Sequence, residues 1–138
     1  MRDNCFADSN VLLYTLDINS PKQGVAFSLW REGVTVSTQV IMEFTNVCIR
    51  KLKMGKADAF ENALNILDGA NVMSVTKELV RQSFTLSTKY GFSHWDSLIV
   101  AAALHAGCTT LYSEDMQHSQ VIEGKLKIVN PFLIVNLT

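Results

Sequence analysis

The alternation of short apolar segments with longer stretches of helical periodicity constrains the fold of this chain most. Residues 5–7, 34–37, 72–75, 109–112 and 126–129 have the composition of short buried strands. Between them, apolar residues recur at helical spacing over residues 11–17, 21–32, 39–53, 57–68, 76–90 and 94–106. Short apolar strands that are separated by helices are typical of a parallel sheet covered on both faces. We therefore predict an α/β fold, with three α/β/α layers around a short-stranded, mostly parallel central sheet.

Glycine and proline positions support these boundaries. Five of the seven glycines follow a helical stretch, where a residue with positive φ ends a helix at low cost: Gly33, Gly55, Gly69, Gly91 and Gly107. Pro21 suits the first turn of the second helix. The apolar tail from Phe132 to Leu137 is either an edge strand or an exposed apolar strip, and the sequence does not decide between them.

Composition excludes several classes of protein. A chain of 138 residues with 48% hydrophobic and 18% charged residues suits one globular domain, which we expect to span residues 1–138. The formal net charge of -1 provides no general attraction to nucleic acid or to an anionic membrane. The longest uncharged apolar run, residues 98–104, is far shorter than the roughly 20 residues of a membrane span, and the N-terminus lacks a signal-peptide core. Three cysteines without a CxxC pair indicate buried thiols in the reducing cytoplasm.

Three acidic residues fall at the same edge of the predicted sheet. Asp8 directly follows the first strand, and Asp115 follows the fourth. Asp96 lies in the first turn of a helix whose predicted N-cap is Ser93, and this helix leads down into the fourth strand. Strand carboxyl ends and the amino ends of the following helices share one edge of a right-handed βαβ fold, so we expect these carboxylates to lie together.

Glu43 adds a fourth carboxylate to this edge. It lies on an otherwise apolar helix face, where a charge requires a partner. Roughly four residues into its helix, it lies about 6 Å below the edge of the sheet and can point into the cluster. Carboxylates at close range repel one another, so a divalent cation best explains such a cluster, and oxygen ligands favour Mg²⁺ or Mn²⁺. Taken singly, the three aspartates are more typical of helix caps and turns, and only their shared edge favours a site.

Four ordered motifs carry a resemblance to a known family. They are FADSNVL at residues 6–12, QVIMEF at 39–44, WDSLIVAAA at 95–103, and LYSED at 111–115 with NPF at 130–132. With these motifs the chain resembles the PIN-domain family and, within it, the VapC-type toxins, which are the ribonuclease halves of bacterial toxin–antitoxin modules. The resemblance spans nearly the whole chain.

The resemblance implies a Mg²⁺- or Mn²⁺-dependent endoribonuclease with RNA as its substrate. It implies an acidic quartet that is catalytic and ligates the metal: Asp8, Glu43, Asp96 and Asp115. It implies supporting polar roles for Asn10 and Ser113. A cognate antitoxin and a homodimer are also implied, and the apolar helices near residues 11–32 and 39–53 provide candidate surfaces for them.

Three alternatives stay open at this point. Glu114 neighbours Asp115 and competes with it as a ligand, although the family pattern favours Asp115. A basic run could hold RNA backbone, but it is more typical of a solvated helix end: Arg50, Lys51, Lys53 and Lys56. A noncatalytic Mg²⁺-binding, receiver-like signalling module also gathers acids at strand ends, although the sequence lacks a convincing partner lysine for it.

Overall fold

The computed structural model describes residues 4–133, which alternate between short strands and longer helices. The strands are β1 (Cys5–Ala7), β2 (Thr35–Ser37), β3 (Asn71–Met73), β4 (Thr110–Tyr112), β5 (Val121–Ile122) and β6 (Leu126–Val129). The helices are α1 (Ser9–Leu13, continued by a 3-10 turn at Tyr14–Leu16), α2 (Gln23–Glu32), α3 (Thr38–Arg50), α4 (Lys56–Gly69), α5 (Lys77–Tyr90) and α6 (His94–His105).

The six strands form one sheet in the order β3-β2-β1-β4-β6-β5. Every neighbouring pair is parallel except β5 and β6, which pair antiparallel. The chain moves outward from β1 to β2 and β3, then crosses back to β4 on the other side of β1. Right-handed crossovers in these two directions place α1–α4 and α5–α6 on opposite faces of the sheet. The predicted three-layer α/β fold with a mostly parallel sheet is confirmed.

The core lies where the central strands meet α6. Phe6 of β1, Leu111 of β4 and Ile128 of β6 are completely buried. Residues 99–103 of α6 are buried as well, which explains why this helix is apolar on all sides. This packing fixes the carboxyl ends of β1 and β4 next to each other, because the two strands pair in register from Cys5 and Thr110 onward.

The structure contains a strand, β5, that the sequence pattern does not predict, so the prediction is wrong at this point. Glu123 and Gly124 both have positive φ, at 54° and 64°, and the Lys125 amide donates to the Ile122 carbonyl at 3.0 Å. This geometry is a type I′ hairpin turn, and the short strand before it escapes detection because it has only two residues. Strand β3 also ends at Met73, two residues before its predicted end.

Two of the five predicted glycine stops have a different role. Gly33, Gly91 and Gly107 have positive φ, as expected. Gly55 has a φ of -66° and caps the start of α4. Gly69 is the last residue of α4 and lies against the indole of Trp30, where a Cβ would come within 2.8 Å of the ring. Its small size is therefore a packing requirement. Pro21 precedes α2 instead of occupying its first turn, because the helix begins at Gln23.

The first residue of the apolar tail is part of the core. Phe132 is fully buried with Val11 and Ala26, and its ring packs edge-on against Tyr14 with 4.9 Å between centroids. Phe132 is therefore not exposed, whereas the next residue, Leu133, is 38% exposed. Residues 134–137 of the predicted tail lie outside the described residues.

No disulfide joins the three cysteines to one another among residues 4–133. Cys48 and Cys108 are buried, as the sequence predicts, but Cys5 is only half-buried. Among residues 4–133, no helix has both the length and the apolar character needed to cross a membrane.

Candidate active site

Asp8 is the most buried of the four predicted acids, and the local fold holds both of its carboxylate oxygens. It follows β1 and caps α1, so its Oδ1 accepts a hydrogen bond from the Ser9 amide at 2.7 Å. Its Oδ2 accepts one from the hydroxyl of Ser113 at 3.0 Å. Only 5% of Asp8 is exposed. The cap that the sequence alone suggests is therefore real, and it fixes a carboxylate at the edge of the sheet.

Asn10 links the two strand ends. Its side-chain nitrogen donates to Asp8 Oδ2 at 3.2 Å and to Asp115 Oδ2 at 3.1 Å. Its side-chain oxygen accepts from the backbone amide of Glu114 at 3.1 Å. One amide group therefore holds the loop after β4 against the first turn of α1 and separates two carboxylates that would otherwise repel each other.

Glu43 and Asp96 approach the same edge from α3 and α6. Ser37 caps α3 and Ser93 caps α6, each through its hydroxyl, and this sets where the two helices begin. Gln39 joins the two helices: its Nε2 donates to Glu43 Oε2 at 3.0 Å and to the Trp95 carbonyl at 3.1 Å. Both acids are half-buried.

The acids affect one another electrostatically. The pKa of Asp8 is raised to about 6: burial is the main cause, the hydrogen bonds from Ser113 and Ser9 oppose the rise, and the charges of Glu43 and Asp96 add to it. Burial also raises the pKa of Glu43, and the charge of Asp96 adds to that effect. The pKa of Asp96 is raised first by burial and then by the charge of Asp115. The structure therefore brings the four predicted acids together as one electrostatically coupled group.

Glu114 points away from this group. Its side chain forms an ion pair with Lys22 and accepts a hydrogen bond from the Tyr14 hydroxyl at 2.7 Å. The Lys22 ammonium also lies over the rings of Tyr14 and Phe132, at 5.0 and 5.5 Å from their centroids. Glu114 thus anchors the loop after β4, while Asp115 faces the other acids.

The predicted basic run lies apart from the acids. Arg50 is the last residue of α3, about 10 Å along the helix from Glu43, and its Nε donates to Asn46 at 2.9 Å. Lys51, Lys53 and Lys56 are exposed beyond it. These residues do not join the acidic group, and their contact with RNA stays a prediction.

The donor chemistry of the acidic group fits a hard divalent cation. No ion pair among residues 4–133 involves any of the four acids, so no lysine, arginine or histidine of this range pairs with them. Within the same residues, no group of three or more His, Cys, Asp or Glu side chains is placed so that it could hold one metal ion. Mg²⁺ commonly binds through one or two carboxylates and several waters, so an open arrangement of oxygen donors is compatible with it.

Sequence reasoning missed two groups of residues that shape the site. Gln39 lies one helical turn before Glu43, and this i, i+4 spacing could have indicated the contact between them. Tyr14 and Lys22 hold Glu114 from 100 and 92 residues away along the chain, and no local pattern indicates such a contact.

Comparisons with known proteins identify the family and the fold. Residues 5–123 match the family model described as PIN domain. No curated protein sequence gives a significant match.

Several solved structures share the fold. The chain is similar to Mycobacterium tuberculosis VapC20, described as a sarcin-ricin loop cleaving toxin, with 21% identity, a TM-score of 0.68 and coverage of 81% of this chain and 90% of that one. A toxin–antitoxin complex from Klebsiella pneumoniae is 19% identical, with a TM-score of 0.67 and coverage of 93% and 98%. FitAcB from Neisseria gonorrhoeae is 19% identical, with a TM-score of 0.66 and coverage of 94% and 99%.

Proposed function

This chain belongs to the PIN domain family, and from that premise we propose that it is a metal-dependent endoribonuclease that cleaves RNA phosphodiester bonds as the toxin of a toxin–antitoxin pair. One observation carries the proposal. The Asn10 amide holds Asp8 and Asp115 within hydrogen-bond reach of one nitrogen, and the charges of Glu43 and Asp96 act on the same group. Asp8 is buried, Glu43 and Asp96 are half-buried and Asp115 is exposed, and like charges placed so close together repel one another unless a cation or protons neutralise them.

The four acids would hold Mg²⁺ or Mn²⁺: Asp8, Glu43, Asp96 and Asp115. When bound, the cation supplies positive charge against the phosphate and makes a water molecule more acidic for in-line attack. The protein contributes orientation. The Ser113 hydroxyl and the Asn10 amide both bind Asp8 Oδ2, so this oxygen has a fixed direction and a lower basicity than burial alone would give it. Asn10 also donates to Asp115 Oδ2 and so fixes the direction of that carboxylate.

The solved relatives support the finer parts of the proposal. One is described as a toxin that cleaves the sarcin-ricin loop, and another as a toxin–antitoxin complex. We infer that this chain likewise acts on RNA and binds a cognate antitoxin, and that it forms a homodimer in the cytoplasm. Light scattering after size-exclusion chromatography tests the dimer, and a monomer at every concentration would contradict it.

Cleavage assays test the nuclease directly. Wild-type protein should cleave RNA with Mg²⁺ or Mn²⁺, lose the activity in EDTA and regain it when Mn²⁺ is added. Asp8→Asn should reduce cleavage by at least about 100-fold, because one general acid–base or metal-ligand contact is commonly worth two or more orders of magnitude. Asp68→Asn is the matched control, since Asp68 is an exposed acid near the end of α4. Activity that survives both EDTA and Asp8→Asn would refute the proposal.

The receiver-like alternative has no comparable support. The family model that matches residues 5–123 is a PIN domain. A receiver-like module would accept a phosphoryl group on Asp8 without any cleavage of RNA. Labelling of Asp8 by a small phosphoryl donor, in a protein without nuclease activity, would favour that alternative.

A further inference from the structure

An open groove adjoins the acidic group. It has a volume of about 660 Å³, within the usual range for a small-molecule site, and lies between α3, the loop that precedes α5 and the start of α6. Glu43 belongs to both the groove and the acidic group. Trp95, which lines the groove, directly precedes Asp96 in the chain. Any group in this groove therefore lies immediately beside the proposed site of cleavage.

The lining of the groove suits a flat, uncharged group. Glu43 is the one charged side chain that lines it among the described residues, and no lysine or arginine does so. A phosphate would find no cationic partner there. Met42, Val75 and Leu98 provide apolar contacts instead. Within an RNA chain, the part that matches this chemistry is a nucleobase and not the backbone.

Trp95 provides an aromatic surface in the groove. It is 59% exposed, although it lies in the first turn of a helix that is otherwise largely buried. Met42 beside it is 67% exposed. Tryptophan is costly to leave in water, and a base that stacks on its indole would remove part of that exposed surface.

Unpaired polar atoms accompany this surface. The Nε2 of Gln39 faces two acceptors, Glu43 Oε2 and the Trp95 carbonyl, which fixes the orientation of the amide. Its Oε1 is consequently buried without a hydrogen-bond partner among the described residues. Asn46 uses its side-chain oxygen to bind Arg50, which leaves its amide nitrogen available as a donor. Because Gln39 Oε1 is enclosed by protein, a base in the groove cannot reach it, and Gln39 acts by fixing the position of the Trp95 backbone. The Asn46 amide beside the aromatic surface can donate to an acceptor on the edge of a base.

We propose that this groove is a nucleobase subsite, in which an unpaired base next to the scissile phosphate stacks on Trp95 and accepts a hydrogen bond from the Asn46 amide. The inference rests on the proposed ribonuclease function and adds its substrate class: RNA that is single-stranded, or has an extruded base, at the point of cleavage. Paired bases are stacked within the helix and cannot enter such a groove.

Binding of a labelled, single-stranded RNA 12-mer tests this subsite separately from catalysis. Fluorescence anisotropy in Ca²⁺ gives the affinity, and gel electrophoresis confirms that the RNA stays intact. Trp95→Ala should weaken binding about 5- to 150-fold, the range expected for the loss of one base–aromatic stack. Trp95→Phe should recover most of the affinity, because it keeps an aromatic face. Phe84→Ala is the matched control: Phe84 is 60% exposed on α5, outside the groove, and its loss should leave affinity unchanged.

Abasic nucleotides identify the contact itself. One abasic site, moved along the 12-mer, should reproduce the Trp95→Ala loss at a single position in wild-type protein and add nothing further in Trp95→Ala. In addition, the four ribonucleoside monophosphates should quench the fluorescence of Trp95 in a Trp30→Phe background. This last measurement requires no cleavage.

The outcomes separate the two claims. If Trp95→Ala keeps full RNA affinity while wild-type protein cleaves RNA with a metal, the subsite is wrong and the nuclease stands. If Trp95→Ala instead converts a dimer to a monomer without a loss of RNA affinity, the groove is an interface between copies, and the subsite is wrong again. If mononucleotides quench Trp95 but no RNA is cleaved, the subsite stands and the nuclease proposal fails.

Discussion

Replacement of Asp8 by Asn should stabilise the metal-free protein, although it removes a proposed metal ligand. Burial raises the pKa of Asp8 from 3.8 to about 6, with smaller contributions from Glu43 and Asp96. A carboxyl group whose pKa is higher in the folded protein than in the unfolded chain favours folding while it is protonated. This contribution is fully present below about pH 3.8 and is lost as the pH rises through about 6.

The structure gives the size of the effect. At about 1.4 kcal/mol for each pH unit, a rise from 3.8 to about 6 corresponds to about 3 kcal/mol of lost stability at pH 8. Asn carries no charge and keeps the oxygen that accepts from the Ser9 amide. Its new amide nitrogen, however, would face the donating nitrogen of Asn10, and one lost hydrogen bond costs about 1 kcal/mol. We therefore expect a net gain of about 1–2 kcal/mol at pH 8.

Urea unfolding followed by circular dichroism, in EDTA at pH 4, 6 and 8, measures this gain. The advantage of Asp8→Asn over wild type should be largest at pH 8 and vanish near pH 4, while Asp68→Asn should match wild type throughout. Addition of Mn²⁺ at pH 8 should raise the Tm of wild type and leave that of Asp8→Asn unchanged. An Asp8→Asn variant that is less stable than wild type at pH 8 in EDTA would refute the electrostatic argument.

Three further changes test the packing, the loop after β4 and the basic run. Gly69→Ala should lower the free energy of unfolding by about 1–3 kcal/mol, because its Cβ would lie 2.8 Å from the neighbouring indole, whereas Gly24→Ala, in open space on α2, should change it by nothing or raise it by up to about 1 kcal/mol. Thermal unfolding of the two variants measures the difference, and equal effects would contradict the packing argument. Glu114→Gln leaves the partly buried Lys22 without its counter-charge, so it should lower the free energy of unfolding by about 1 kcal/mol in urea titrations. It should reduce cleavage less than Asp8→Asn does, and an equally large loss of cleavage would indicate that Glu114 is a metal ligand. Charge reversal at Lys51 and Lys53 should weaken RNA binding and flatten its salt dependence, and an unchanged salt slope would remove the basic run from the RNA path.

The sequence predicts the parts of the fold and site that depend on local patterns. Asp8, Asp96 and Asp115 are each placed by a strand end or a helix start, and such boundaries have signatures within three or four residues. Glu43 stands out because a carboxylate interrupts an apolar helix face. The chain order of strands and helices then brings these positions to one edge, since parallel strands end at a common edge.

Contacts between distant segments could not be predicted in the same way. The partners of Glu114 lie about a hundred residues away in sequence, and only the completed sheet brings them near. The groove requires α3, α6 and the loop before α5 to be in place at once, so neither Trp95 nor Gln39 shows its surroundings in the sequence. Strand β5 has only two residues, too few to show the alternation of inward and outward side chains that indicates a strand. The positive φ angles of Glu123 and Gly124 define the turn that follows it.

The side chain of Asn10 determines which of two adjacent acids, Glu114 or Asp115, lies beside Asp8. Glu114 and Asp115 follow the same strand, and their side chains leave it in different directions. Asn10 binds both residues at once: its oxygen accepts the amide of Glu114, and its nitrogen donates to the carboxylate of Asp115. An aspartate at position 10 would have the same shape but no donor, and it would add a third negative charge beside Asp8 and Asp115. An amide at this position is therefore the group that allows two carboxylates to lie side by side before any cation binds.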